Sequence, residues 1–241
     1  MSEQISTSQR LHEDLSRVIA RTKAGGRLSS EPVLAKRLGV SRATLREAMR
    51  TFETQGLISR RQGVGTFVTR TPHVIESGLE VLESIETLAK NIDLQVDYGK
   101  LEVDCGPANQ DEAEALGLVQ STEVMRVSRV ILAERRPVAY LVDVLQKDFF
   151  PCESVETEFS GSVLDMLLKR GEPPLVNSRC EICAVAATRE VARALNIQRG
   201  DSLLMFVSRL YTLDGEVVDY SLSSFLPGYF RFHVVRELTG K

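Results

Sequence analysis

The chain has 241 residues, 43% hydrophobic and 26% charged, with a formal net charge of -3. That length suits one large domain or two small ones, and the balance of apolar and charged residues excludes collagen-like, disordered and membrane-embedded classes. No apolar run approaches the roughly 18–20 residues that span a bilayer, and MSEQISTSQRLHEDLS has no signal core, so the expected location is the cytoplasm, with no membrane partner.

Charge is unevenly spread. Residues 1–70 hold thirteen Lys or Arg and six Asp or Glu; residues 71–241 hold seventeen and twenty-seven. A basic head on an acidic body predicts two domains, one attracted to a polyanion and one repelled by it.

The first predicted helix covers about 8–22, where Leu11, Leu15, Val18 and Ile19 share a face, and Ala24-Gly25-Gly26 ends it. The second starts after Ser30, a cap position, with Pro32 in the first turn, where a missing N–H costs little. It carries Val33, Leu34 and Leu38, and stops at Gly39. Ser41 caps a third helix, RATLREAMRTFETQ. Its inner face is Leu45, Ala48, Met49 and Phe52; its outer face begins with Arg42, Thr44 and Arg46. LISRRQGVGTFVT then reads as a hairpin around Gln62-Gly63-Val64-Gly65. Three helices, a four-residue turn before the third and a two-stranded hairpin make a winged helix-turn-helix.

Residues 71–78, with Pro72 and Gly78, read as a linker between a head (1–70) and a body (79–241). The body is predicted to hold a helix at 79–90, a strand near 98–104, a short helix at 110–116 and a hairpin from 123–133 and 137–147. A helix at 161–170 capped by Ser160, a strand at 175–187 and a short helix from Thr188 to Leu195 follow. A second hairpin, 202–213 and 216–226, turns at Asp214-Gly215, and a last strand lies within 229–235. Sliding 123–145 by eighty residues matches Arg129 to Arg209 and Tyr140 to Tyr220, and each run follows a helix ending in Ala-Leu. Two such units side by side predict one antiparallel sheet with helices on one face, an α+β domain. Cys105, Cys152, Cys180 and Cys183 are too few and too irregular to staple the chain. Cys180 and Cys183 lie three apart in a predicted strand, facing opposite sides, and read as buried structural thiols. No metal or other cofactor is expected.

Arg42 and Arg46 project from one side of the third helix near its N-terminal end, the end at which a recognition helix meets base edges. A guanidinium fork bonds guanine O6 and N7 together. The N-terminus of that helix and the Ser41 hydroxyl suit a phosphate, Thr44 a phosphate or a thymine methyl, and Arg50 a phosphate. Glycines in the wing allow close backbone approach, with Arg60 and Arg61 beside them.

The run GRLSSEPVLAKRLGVSRATLREAMRTFETQGLISRRQGVGTFV resembles the DNA-binding domain of the GntR family of bacterial transcriptional regulators over about residues 8–69. The candidate DNA-contacting set is thus Ser30, Ser41, Arg42, Thr44, Arg46, Arg50, Gln62, Gly63, Val64, Gly65 and Thr66. Pro32 stands where many members have an arginine, which implies a different operator. VMRVSRVILAERRPVAY, SGSVLDMLLKRG and GEVVDYSLSSFLPGYFRFHVV resemble the UTRA effector-binding domain of the HutC branch, whose fold is similar to chorismate lyase. That resemblance implies a homodimer and a small-molecule pocket involving Arg129, Ser160, Ser162, Asp219 and Tyr220. Phosphosugar-binding members carry R-x-R in the first hairpin and a glutamate after P-V-A. Ile131 and Leu141 at those places point away from a sugar phosphate.

The reading is a repressor that binds a palindromic double-stranded DNA operator as a homodimer and is released by a small metabolite. Two alternatives are a chorismate-lyase-like enzyme with a DNA-binding head and a ligand-free DNA-binding dimer. The first lacks paired carboxylates at telling spacing, a histidine motif or a phosphate-cradling loop, so no catalytic residues are assigned.

Overall fold

A computed structural model describes residues 7–54, 56–61, 63–69, 75–147, 149, 159 and 161–236. It divides into two compact units, 1–74 with 227–229, and 75–226 with 230–241.

In the first unit α1 (Thr7–Arg21), α2 (Glu31–Leu38) and α3 (Arg42–Thr54) precede a hairpin of β1 (Ile58–Arg61) and β2 (Gly65–Val68). The apolar face predicted for α3 is buried: Leu45, Met49 and Phe52 pack with Leu15 and Ile19 of α1, Leu34 of α2 and Ile58 of β1. Gly39, in the left-handed conformation, stops α2, which removes the Cβ clash at that turn. Val33, expected on the apolar side of α2, is instead exposed. Ser30 occupies the cap position of α2 without making the cap bond, whereas the Ser41 hydroxyl accepts the Thr44 N–H at 3.1 Å.

The wing has more than the two predicted strands. Leu28 N–H donates to the Thr66 carbonyl and Val68 N–H to the Gly26 carbonyl, each at 2.8 Å. Residues 26–28 thus line β2 as a third short segment.

The second unit opens with β3 (Ile75–Gly78), which pairs in parallel with β10 (Phe230–His233). Half of the segment expected as linker is therefore a strand. The helix expected at 79–90 begins only at Ile85 (α4, Ile85–Asn91), where Ser84 caps it by accepting the Thr87 N–H at 3.0 Å. Leu79 instead donates its N–H to the His233 carbonyl, continuing the strand pairing.

The main sheet is antiparallel, in the order β4 (Val96–Pro107), β5 (Glu123–Ala133), β6 (Arg136–Gln146), β9 (Val217–Phe225), β8 (Ser202–Thr212), β7 (Leu175–Ala186). β5 and β6 are joined by Glu134 and Arg135, both at positive φ, as a two-residue type I′ loop requires. The predicted repeat is visible as β4, α5 (Gln110–Leu116), β5, β6 followed by β7, α7 (Arg189–Ala194), β8, β9. Its two halves meet at the β6–β9 pair, where Val142 lies opposite Leu222.

Helices cover both faces, not one. α5 packs on the face of Val124, Val142 and Val144, and Glu190 of α7 accepts a bond from Tyr140 on that same face. α6 (Val163–Arg170) packs on the other, against Met125, Val127 and Leu145, because alternate residues of each strand point to opposite sides. α6 is capped by Ser162, not Ser160: the Ser162 hydroxyl accepts the Asp165 N–H, and Ser160 lies outside the described residues. Cys180 and Cys183 on edge strand β7 face opposite sides as expected, but are free and exposed, since that edge is uncovered. Cys105 is disulfide-bonded, which its spacing did not announce.

Candidate functional site

Two places in the fold gather the residues singled out from sequence. The first is the exposed side of α3 with the wing tip. Arg42 and Arg46, four apart, are exposed on one side of the helix, and Thr44 is exposed on the other flank of its outer surface, all behind exposed Ser41. Ser30 is also exposed. Arg50 is half-buried, one guanidinium nitrogen lying 3.9 Å from Glu47.

Arg46 is not a free cation. Its Nε donates to Glu31 Oε2 at 2.6 Å, so the first residue of α2 holds the guanidinium of α3. Glu31 had no role in the sequence reading; the acid at the start of one helix facing a base on the next was the available signal.

At the wing, Gly63 adopts φ +75° with open space where a Cβ would be, and Val64 beside it is exposed. Gly65 has a different reason. Its backbone sits at φ +133°, which residues with a side chain rarely adopt, and a Cβ there would come within 2.6 Å of Arg27 Nε. Thr66 does not belong to the surface set: it is 7% exposed, and the segment carrying Leu28 covers it. Gln62 lies outside the described residues.

The second place is a cavity of about 550 Å³ on the α6 face of the large sheet, closed by β3, the stretch after it and the ends of α4 and α6. Its floor follows from the register. Asp143, Ser221, Ser208 and Cys180 lie opposite one another across four strands, with Leu141, Ser223, Phe206 and Ile182 in the next row. Directly opposed residues of antiparallel strands share a face, so all eight point into the cavity.

Arg129 is buried in this wall and donates from Nη1 to Asp143 Oδ2. Its Nε lies 3.7 Å from Glu86 Oε1, beyond hydrogen-bond reach. Asp219, also buried, lines the cavity. Burial, with the Asp143 charge adding to it, holds the Asp219 carboxyl well above the usual aspartate range. Glu86 is raised too, by burial against the opposing pull of Arg129. Both follow from removing a carboxylate from water.

The cavity thus brings together Arg129, Ser162 and Asp219 of the predicted set. Ser162 is there chiefly as the cap of α6. Tyr220 is not: it sits on the opposite face, against the α5 cluster, with the Arg209 guanidinium 5.7 Å above its ring. One residue along a strand reverses the face, so neighbours Asp219 and Tyr220 cannot both line one cavity. Glu86, Asp143, Ser208, Ser221 and Ser223 were missed. Only the alternation of β6 and β9 about Asp143 and Asp219 hinted at them.

Residues 7–68 match the family described as bacterial regulatory proteins, gntR family, and residues 94–231 match the UTRA domain. The chain is 32% identical over 225 residues to an HTH-type transcriptional regulator of Mycobacterium tuberculosis, covering 91% of this chain and 81% of that one. It is 27% identical over 237 residues to the mannosyl-D-glycerate transport/metabolism system repressor of Escherichia coli, covering 95% and 94%. The fold is shared with PhnF of Mycobacterium smegmatis at TM-score 0.63 and 20% identity, covering 94% and 99% of the two chains.

Proposed function

Since the chain belongs to the gntR family of bacterial regulatory proteins and carries a UTRA domain, we propose that it is a repressor that holds a near-palindromic operator as a homodimer and lets go when a small metabolite fills the cavity. In the coarser terms that family membership settles, it is a ligand-responsive DNA-binding transcriptional regulator and not an enzyme. Names of relatives, among them the mannosyl-D-glycerate transport/metabolism system repressor and a probable fructoselysine utilization operon transcriptional repressor, both of Escherichia coli, support the repressing sense.

The observation that carries the coupling is the composition of the cavity wall. Ser77 and Gly78 of β3 line it, and β3 directly follows the connection from the DNA-binding head. A ligand that contacts β3 changes the free energy of that strand, and only such a difference between states shifts an equilibrium. In the head, Ser41, Arg42, Thr44 and Arg46 would face the major groove with the wing tip at Gly63 and Val64 on the backbone. Two heads related by a two-fold axis call for a near-symmetric operator.

The test is a gel-shift titration of the full chain on the DNA upstream of its own gene, followed by the same complex challenged with metabolites that co-purify with the protein. The expected result is one shifted species whose half-sites give equal protection and which a co-purified metabolite dissolves. A protein that binds scrambled DNA as tightly as its own upstream region contradicts the reading.

A further inference from the structure

The charges around the cavity are unbalanced, and the imbalance says what kind of molecule belongs there. Its one basic side chain, among the described residues, is Arg129, and that cation is already engaged by Asp143 and flanked by Glu86. Asp219 adds a third acid, and Glu80 and Glu83 stand at the exposed rim. An entering phosphate or carboxylate would meet a neutralised guanidinium and an excess of carboxyls.

The hydrogen-bond inventory points the same way. Asp219 is 7% exposed, lines the cavity and has no partner for Oδ1. Neither oxygen of Glu86 has one either. Against one orphaned donor, Arg129 Nε, the cavity holds three orphaned acceptors, so the surplus is of acceptors, and buried acceptors are rarely left unpaired in a native protein. Ser208, Ser221 and Ser223 supply hydroxyls that accept or donate. On the far side Phe206, Phe225 and Phe232 form a mutual cluster, with ring centroids 4.4 to 5.1 Å apart. An aromatic wall suits an apolar body or the outer face of a cation.

We propose that the effector cavity takes a small organic cation, a molecule with a primary ammonium group and no phosphate, whose N–H donors reach Asp219 and Glu86. This rests on the reading of the cavity as the effector site and adds its ligand class. The ammonium supplies three donors to a cavity lined by these orphaned acceptors, and its charge is balanced by the acids that Arg129 does not neutralise. Burial raises both carboxyls, and an entering cation opposes that effect by favouring their ionised form.

The experiment uses the full chain, thermal unfolding and isothermal titration with matched probes: agmatine, tyramine and glucosamine as amines, N-acetyltyramine and N-acetylglucosamine as neutral counterparts, glucosamine 6-phosphate and inorganic phosphate as anions. At least one amine raises Tm by roughly 3–6 °C when present at about ten times its Kd, its neutral counterpart raises it less than half as far, and Asp219→Asn removes the amine effect. Circular dichroism confirms that this variant is folded, and Glu86→Gln serves as a second variant if it is not. The proposal is overturned if inorganic phosphate or glucosamine 6-phosphate stabilises more than every amine, if amines and acetylated counterparts act equally, or if no amine shifts Tm. DNA release is scored separately. An amine that stabilises without altering DNA affinity keeps the ligand class and sinks the effector reading; a phosphate ester that releases DNA does the reverse.

Discussion

Glu31 and Arg46 join the start of α2 to the exposed side of α3 through a single 2.6 Å hydrogen bond, Nε donating to Oε2. The pair is partly exposed, so it adds little to stability; exposed pairs contribute about 0–1 kcal/mol. Its effect is on direction, because a guanidinium held at Nε presents its remaining nitrogens in one orientation. Arg46→Ala is expected to lose about 1–3 kcal/mol of discrimination between operator and scrambled DNA, the worth of one bidentate base contact. Glu31→Gln should keep affinity for scrambled DNA or raise it, while reducing discrimination. Competition gel shifts on both variants check this, and equal discrimination to the parent in Arg46→Ala contradicts it.

Arg129 and Arg209 differ sharply in what their removal should cost. Arg129 is buried against Asp143 and Glu86, and truncating one member of a buried pair strands the other charge, at about 3–5 kcal/mol. Arg209 is partly exposed over the Tyr220 ring, a contact worth about 0.5–1 kcal/mol at an exposed site. Urea unfolding of Arg129→Met and Arg209→Met should separate by several-fold in ΔΔG. Adding Asp143→Leu to Arg129→Met should recover part of the loss.

That pair also marks where sequence reading stops. Helices α1 to α3, the wing and both long hairpins were legible because period 3.6 and period 2 are written into them and Gly or Ser marks their ends. An eighty-residue slide aligns Tyr140 with Tyr220 correctly, yet it aligns Arg129 with Arg209, which face opposite sides. In the register Arg129 lies opposite Leu141 and Ser208 opposite Ser221, so Ser208 is the true counterpart of Arg129. The first strands repeat at seventy-nine residues, as do the Ala-Leu helix ends, and the second strands at eighty, because the second hairpin has one more residue in its turn region. Such a one-residue slip is invisible to identity counting and reverses every side chain. The second helical layer was hidden too, since α4 and α6 lie outside the repeat. Thr66 misled for a related reason: the strand-like pairing of residues 26–28 with β2 is non-local and leaves no local pattern.

Salt should weaken operator binding steeply. The head carries more than twice as many basic as acidic residues over 1–70, and each phosphate neutralised contributes about -0.9 to the slope of log K against log salt. With about three phosphates per head, a dimer gives a slope of about -5. Arg50→Ala should flatten it by about 2, because one phosphate in each half-site is no longer neutralised. Fluorescence-anisotropy titrations across a salt series measure this, and a parent slope near -1 is incompatible with a backbone-gripping dimer.

Asp219 makes a prediction about pH that does not depend on any ligand. Burial, then the neighbouring Asp143 charge, raises its carboxyl well above the usual aspartate range. Between that usual range and the raised value, the folded chain keeps a proton that the unfolded chain has released. The unfolded state then binds fewer protons, so stability falls as pH rises through this window, by up to about 1.4 kcal/mol per pH unit. An amide cannot ionise, so Asp219→Asn lacks this loss. The variant should therefore gain on the parent as pH goes from 5 to 8, whatever its offset at pH 5, because the other titrating groups are common to both. Urea midpoints of the two proteins at four pH values give the difference directly. A constant offset across the series would mean that the Asp219 carboxyl ionises as it does in the unfolded chain, and that water or a cation already reaches its Oδ1.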